Sequence, residues 1–335
     1  MLDAQVFRAP LLDHRELDLD AARRLTYVIE QSFRYDYDAP VNSLRQRLVI
    51  IPPARHGSQY LRGHLLEVSG TRARRCLRRD GHGNLVAWIR SERVTQAVEF
   101  RLMAMVERLR GHGPAALEAG ALRDPRLLRP TRLTAADDGL RALARGLAAQ
   151  PGTLVQRAER VCEAVHSAIT YADGVTSVRT TAAEALAGGC GVCQDFAHVM
   201  LALCHLVGLP ARYVSGHLLG QGGTHAWVEV VVPEAHGEAV PEAHGEAVPE
   251  AHGEAVPEAH GEAVPEAHGE AVPEARGAVA IAFDPCNGRR VGSGYVTVAT
   301  GRDYADVAPT SGSYVGTARG RLTAGRRVGI LAASG

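Results

Sequence analysis

Forty residues of this chain cannot join a packed core, and they constrain how the segments on either side must meet. The unit PEAHGEAV occurs five times in succession from Pro233 to Val272, then decays into PEARGAVA. Every copy holds Pro and Gly, and its largest apolar residue is Val, so it has too little apolar surface to order itself. Each copy carries two Glu, so the five hold ten negative charges. The formal net charge of the chain is zero, which leaves the remainder about ten positive. Histidines 236, 244, 252, 260 and 268 recur at a spacing of eight. A unit with Pro in every copy does not readily converge several of them on one metal ion. The simpler reading is an expanded loop, an interaction or spacer segment inserted into an otherwise ordinary fold.

Outside the repeat, the pattern divides the chain. Residues 1–24 are an extension. Residues 25–110 read as a β-rich domain: "LTYVIEQSFRYDY", "LRQRLVIIPP" and two runs around the Gly-rich turn Asp80 to Asn84 are strand-like. Val98, Phe100, Leu102, Ala104 and Val106 alternate, as a strand with one buried face requires. Short strands separated by turns predict a small sandwich. Residues 111–133 read as a linker, 134–320 as a second domain interrupted by the repeat region 233–276, and 321–335 as a tail. In the second domain Thr134 is a candidate cap for a helix carrying Leu140, Leu143 and Leu147 on one face. The next helix has an apolar stripe that includes Cys162, and Thr181 with Glu184 forms a capping box.

The chemistry centres on "GGCGVCQDFAHVMLALCHLVGLP", residues 188–210. Phe196, Val199, Met200, Leu203 and Val207 predict an amphipathic helix that starts at Cys193 and stops at Gly208 and Pro210. Unpaired backbone N–H groups and the positive dipole end favour a nucleophilic thiolate at that first position. Cys190 lies on the approach, too early. A nucleophile needs a base, and the base an orienting acceptor. His225 opens the strand "HAWVEVVV" and Asp284 closes "VAIAFD". As an antiparallel hairpin, these strands make His225 and Asp284 cross-strand neighbours. Their separation of 59 residues falls to 19 without the forty of the repeat, an ordinary hairpin length. The repeat then begins roughly 25 Å from the three residues, at about 3.3 Å per strand residue.

Taken together, "GGCGVCQDFAHVMLALCHLVGLPARYVSGHL", "THAWVEV", "FDPCNG" and "GRDYADVAPTSGSYVG" resemble the bacterial transglutaminase-like superfamily. "YDYDAPVNSLRQRLVIIPP" is similar to the β-rich region that precedes the core in many members. The resemblance implies an α+β fold: a papain-like transglutaminase core, with a helix-borne Cys packed on an antiparallel sheet, behind a small β-sandwich-like N-terminal domain. It implies the chain order Cys193, His225, Asp284, and it places Asp303, Tyr304 and Asp306 in the family's C-terminal stretch. Members usually carry Thr after Asp-Pro, where this chain has Cys286, read as inert filler.

Supporting roles fall to four residues. Asp195 is expected to stabilise the helix start, and Trp227 to wall the site or pack the core. Gln194 is a candidate donor beside an oxyanion hole formed by the Cys193 backbone N–H, and Tyr304 a candidate cleft residue. His198 and His205 are expected to be surface or satisfied histidines. The expected activity is acyl transfer at a peptide or amide through a thioester, resolved by water; resolution by an amine, a non-catalytic binding scaffold and a CxxC redox protein are the alternatives. No EF-hand-type loop appears, so calcium is not implied, and no cofactor is expected. The balanced charge gives no indication of nucleic acid, and no apolar run is long enough to span a bilayer. The N-terminus has no apolar core of a signal sequence, and the six cysteines are dispersed, so a cytoplasmic protein with free thiols is expected.

Overall fold

The computed structural model describes residues 6–234 and 277–335. The N-terminal region supplies β1 (Arg24–Tyr37), β2 (Val41–Ile51), β3 (Gln59–Ser69), β4 (Arg74–Arg79), β5 (Leu85–Val94) and β6 (Ala97–Leu109). Four helices follow: α1 (Asp138–Ala148), α2 (Leu154–Ala168), α3 (Ala182–Gly188) and α4 (Cys193–Leu206). Then come β7 (Ala211–Leu218), β8 (His225–Pro233), β9 (Ala278–Asp284), β10 (Tyr295–Gly301), β11 (Thr310–Val315) and β12 (Gly320–Ser334).

Two antiparallel sheets form the sandwich. One runs β12-β1-β6-β3, with Arg55–His56 at its edge, and the other runs β11-β2-β5-β4. The alternation in β6 aims Val98, Phe100, Leu102, Ala104 and Val106 inward, where they meet Leu44, Leu48 and Ile89 of the opposing sheet. The mixed fold is thus α+β with a β-rich N-terminal region, as the pattern predicts. Residues 321–335 are not a tail: β12 pairs with β1 along its length. The linker 111–133 is also partly built in. Ala115–Leu117 pairs with the start of β9, and Leu127 packs on Val231 and Ala278.

The third sheet runs β9-β8-β7-β10, with the short strand Arg289–Arg290 beyond β9. Its helix-facing side packs on α1 to α4 in one cluster. The cap of α1 is Asp137, whose side chain accepts the Leu140 N–H; Thr134 is instead buried against Thr131. The capping boxes of α2 and α3 use Thr153 with Gln156 and Thr181 with Glu184. Cys162 is buried in the core. α4 departs from the expected one-sided stripe: residues from Gln194 through Cys204 are all buried, so it is the central helix of the domain. The repeat lies outside the described residues; β8 ends at Pro233, paired with Ala278 at the start of β9.

Candidate active site

Cys193 is the first residue of α4 because three local devices stop the chain from turning earlier. Gly189 ends α3 in the left-handed region at φ 63°. Cys190–Gly191 then pairs in parallel with Thr170–Tyr171. Finally, the Asp195 carboxylate accepts the Val192 N–H at 2.8 Å and the Thr176 hydroxyl at 2.6 Å. Gly191 makes room for that carboxylate: a Cβ there would lie 2.7 Å from the Asp195 side chain. Burial pushes the Asp195 pKa up, and the two hydrogen bonds oppose it.

The hairpin β8–β9 forms in the predicted sense, with a refinement of register. Val228 pairs with Phe283, so Trp227 stands opposite Asp284 and His225 lies on the diagonal. His225 Nε2 nevertheless sits 2.7 Å from Asp284 Oδ2. That leaves Nδ1 for Cys193, whose thiol lies close enough to act electrostatically on the ring and sits 4.0 Å from the carbonyl of Thr224, the residue before His225. The structure therefore brings Cys193, His225 and Asp284 together. Burial alone lowers the His225 pKa, but Asp284 and Cys193 outweigh it and hold the value at about 9.

Asp284 is fully buried and saturated with donors. Besides His225, its Oδ2 accepts the Tyr295 hydroxyl at 2.7 Å and Asn287 Nδ2 at 2.6 Å. Its Oδ1 accepts the backbone N–H groups of Cys286 and Asn287. Burial raises its pKa, and these partners, His225 foremost, bring it below the usual carboxylate range. Tyr295 and Asn287 escape the sequence reading. "YVTVAT" alternates like a strand but nothing local ties Tyr295 to the Asp, whereas "DPCNG" is a turn signature in which an Asp side chain accepts from the residues just after it, a local signal for Asn287.

The supporting residues separate. Trp227 is fully buried, its ring centroid 6.2 Å from that of His225 and 5.5 Å from that of Tyr295. Gln194 has a partner outside the three residues: its Nε2 donates to the Ser177 carbonyl at 3.3 Å. The backbone N–H of Tyr304 donates to the Nε2 of buried His198 at 3.2 Å, while the ring's Nδ1 has no hydrogen-bond partner among the described residues, so this histidine is only half satisfied. Asp303 caps the short helix Tyr304–Val307, and Asp306 pairs with Arg302 and His82. Cys286 packs beside the core, and burial, with Asp284 and Cys193 next, pushes its thiol up to about 12. All six cysteines are free. Among the described residues, no group of three or more His, Cys, Asp or Glu is placed to hold a metal, and no helix is long and apolar enough to cross a membrane.

Comparison with known proteins agrees with this architecture. Residues 27–107 match the bacterial transglutaminase-like N-terminal region, and residues 141–237 match the transglutaminase-like superfamily. The chain belongs to the bacterial transglutaminase-like superfamily. An uncharacterized protein of Mycobacterium tuberculosis is 26% identical over 317 residues, 86% of this chain and 83% of that protein. An uncharacterized protein of Mycobacterium leprae is 30% identical over 202 residues, 57% of this chain and 55% of that one. Among solved structures, a "Putative Cysteine Protease" from Cytophaga hutchinsonii is similar over 92% of this chain and 91% of its own, with a TM-score of 0.63 and 19% identity, a likeness of fold.

Proposed function

We propose that this protein is a cysteine enzyme that transfers an acyl group from a peptide or amide through a thioester on Cys193. The observation that carries the reading is the Cys193 sulfur, at the first position of a buried helix, beside a His225 held by Asp284 at 2.7 Å. The helix end and a protonated His225 put positive charge beside the sulfur. In the proposed cycle, the sulfur attacks the carbonyl carbon and forms the C–S bond. The oxyanion faces the N–H groups at the start of α4. His225 gives its proton to the amide nitrogen, the C–N bond breaks and the amine leaves. Water then adds to the thioester with its proton passing to His225, and the C–S bond breaks to release the acid. Asp284 stays ionised and holds the imidazole in one tautomer and orientation.

Resolution by water is the favoured branch, because no acceptor-amine site is legible in the sequence. Resolution by an amine uses the same three residues and is the second reading. The test is mass spectrometry of the enzyme and products with a peptide and glutaminyl-amide panel, with and without a primary amine. The reading expects an acyl adduct on Cys193 and product acids, both absent in Cys193→Ala. Amine-linked products in place of acids would select the transfer branch. No adduct and no turnover with any member of the panel would leave the binding-scaffold alternative.

A further inference from the structure

The outer face of the sheet β11-β2-β5-β4 carries a block of cations that the reaction scheme does not use. The pairing register fixes its layout. Arg90 of β5 stands opposite Arg45 of β2 on one side and Arg74 of β4 on the other. In the next row Trp88 lies between Arg47 and Cys76, and beyond it Arg78 stands opposite Val86. Ala87 and Ile89 alternate with Trp88 and Arg90 and enter the sandwich core, so the block faces outward. Arg45, Arg74, Arg78 and Arg90 are exposed and, among the described residues, make no hydrogen bond or ion pair. Trp88 is 45% exposed in their midst. The strands β2, β4 and β5 and the turn after β4 hold two carboxylates. Asp80 is committed to Arg47 and to the N–H groups of His82 and Asn84. Glu92, the next outward residue after Arg90, is exposed and offsets one cation. Three arginines side by side across a sheet repel one another, so an anion laid over them stabilises the face.

The chain itself carries the matching charge and leaves the fold beside this face. Residues 235–276, outside the described residues, hold ten Glu, at every fourth position from Glu238 to Glu274, and a single Arg. Glu residues four apart are separated by up to about 13 Å at about 3.3 Å per residue, the same separation as Arg74 and Arg78, four apart on extended β4. The segment departs after Glu234 and returns at Gly277, next to the paired ends Pro233 and Ala278. There Leu127 packs on Val231 and Ala278, and the adjoining Arg126 donates to the Gly81 carbonyl. Gly81 lies in the turn that joins β4 to β5, at the Arg78 end of the block.

We propose that the acidic repeat of this chain docks on the arginine face of β2, β5 and β4, with its Glu carboxylates pairing with Arg78, Arg74, Arg90 and Arg45. The assignment stands apart from the acyl-transfer reading. One exposed ion pair contributes little. Several together, on a segment whose two ends are anchored beside the face and so keep it at high local concentration, suffice to hold it there.

The experiment compares the full chain with the chain lacking residues 233–272. Arginines are labelled with phenylglyoxal and mapped by mass spectrometry, and tryptophan fluorescence is quenched with acrylamide. Of the two tryptophans Trp227 is fully buried, so quenching reports Trp88. In the full chain, Arg45, Arg74, Arg78 and Arg90 are expected to label at least about threefold more slowly than in the deletion variant, and Trp88 to be quenched less. The exposed Arg24 and Arg321 should label alike in both. Salt at about 1 M, where the Debye length falls to about 3 Å, should remove these differences. The full-length triple variant Arg45→Ser, Arg74→Ser, Arg90→Ser changes only exposed positions and should lose the salt dependence of Trp88 quenching; it keeps the test decisive if the deletion variant does not fold. Protection independent of protein concentration supports docking within one chain; protection that grows with concentration overturns it in favour of contact between copies. Equal labelling and quenching in the full chain and the deletion variant overturn the proposal. If a fluorescent single-stranded oligonucleotide then binds both proteins equally, and the triple variant weakly, the occupant of the face is a nucleic acid instead.

Discussion

At the scale of single residues, the site depends on how many donors converge on Asp284. Five hydrogen bonds from four residues hold one buried carboxylate, so it remains ionised and His225 remains a cation to unusually high pH. The folded-state pKa of His225, about 9, lies above its ordinary 6.5. Its protonated form therefore contributes stability in full below about pH 6.5, and that contribution is lost as the pH rises through about 9. The expected outcome is a stability difference between wild type and His225→Gln that shrinks from pH 6 to pH 10, with kcat/KM of wild type falling over its upper half. Denaturant titrations across that range check it. Cys193, His225 and Asp284 were legible because each stands at the end of an element whose start or stop is written locally. Tyr295 was not, because its partnership with Asp284 exists only once β10 has crossed to lie beside β7, whereas Asn287 reaches Asp284 within the turn that follows it and carried a local signal that went unread.

Among the elements, α4 and the β8–β9 hairpin set the geometry. Gly191 is required by close approach: a methyl group would drive Asp195 from the Val192 N–H and shift the first turn. Gly191→Ala is expected to lose about 1–3 kcal/mol by overpacking and to reduce turnover more than peptide binding, measured by chemical unfolding and steady-state kinetics. The burial of α4 on every side was missed because a pattern search for one apolar stripe stops once the stripe is found. The signal was nonetheless present, since no charged residue follows Asp195 before Arg212. The repeat is attached where β8 and β9 are already paired, at Pro233 and Ala278. Removing residues 233–272 joins Val232 to the decayed copy, which also begins Pro-Glu-Ala. That deletion is expected to leave the far-ultraviolet circular dichroism of the folded domains and the rate of turnover unchanged; loss of both would make the repeat part of the fold.

Across the whole molecule, the N-terminal sandwich buttresses the site. The Gln59 amide exchanges two hydrogen bonds with the backbone of Thr297, and Asn84 does the same with Thr300, so side chains close the free edge of β10. Arg108 donates to the Tyr295 carbonyl at 2.6 Å. The strand that presents Tyr295 to Asp284 is thereby held from both sides. Between the two regions, buried Glu229 binds Arg212 at 2.6 Å and His56 at 2.5 Å. Burial raises its pKa, but His56 and Arg212 outweigh it and bring it to about 2. This contribution is present above about pH 4.5 and is lost as the pH falls towards 2. Glu229→Gln is expected to lose about 3–5 kcal/mol at pH 7, because it leaves Arg212 largely buried without its carboxylate. The thermal midpoints of variant and wild type should converge in acid. The sandwich was legible from strand-like composition and turn signals in β1, β2 and β5 and from alternation in β6. Its closing strand β12 was not: "GRLTAGRRVGILAAS" has little alternation, and its partner β1 lies at the other end of the chain.

The most direct test of the central claim is alkylation by iodoacetamide at pH 6 to 8, with peptide mapping of all six cysteines, on wild type and His225→Ala. If His225 activates the nucleophile, Cys193 labels first and fastest at the acid end of the range, and its rate falls about tenfold or more in the variant, while Cys190 and Cys286 stay slow in both. Equal labelling of Cys190 and Cys193, with the same pH dependence in both proteins, would contradict the account.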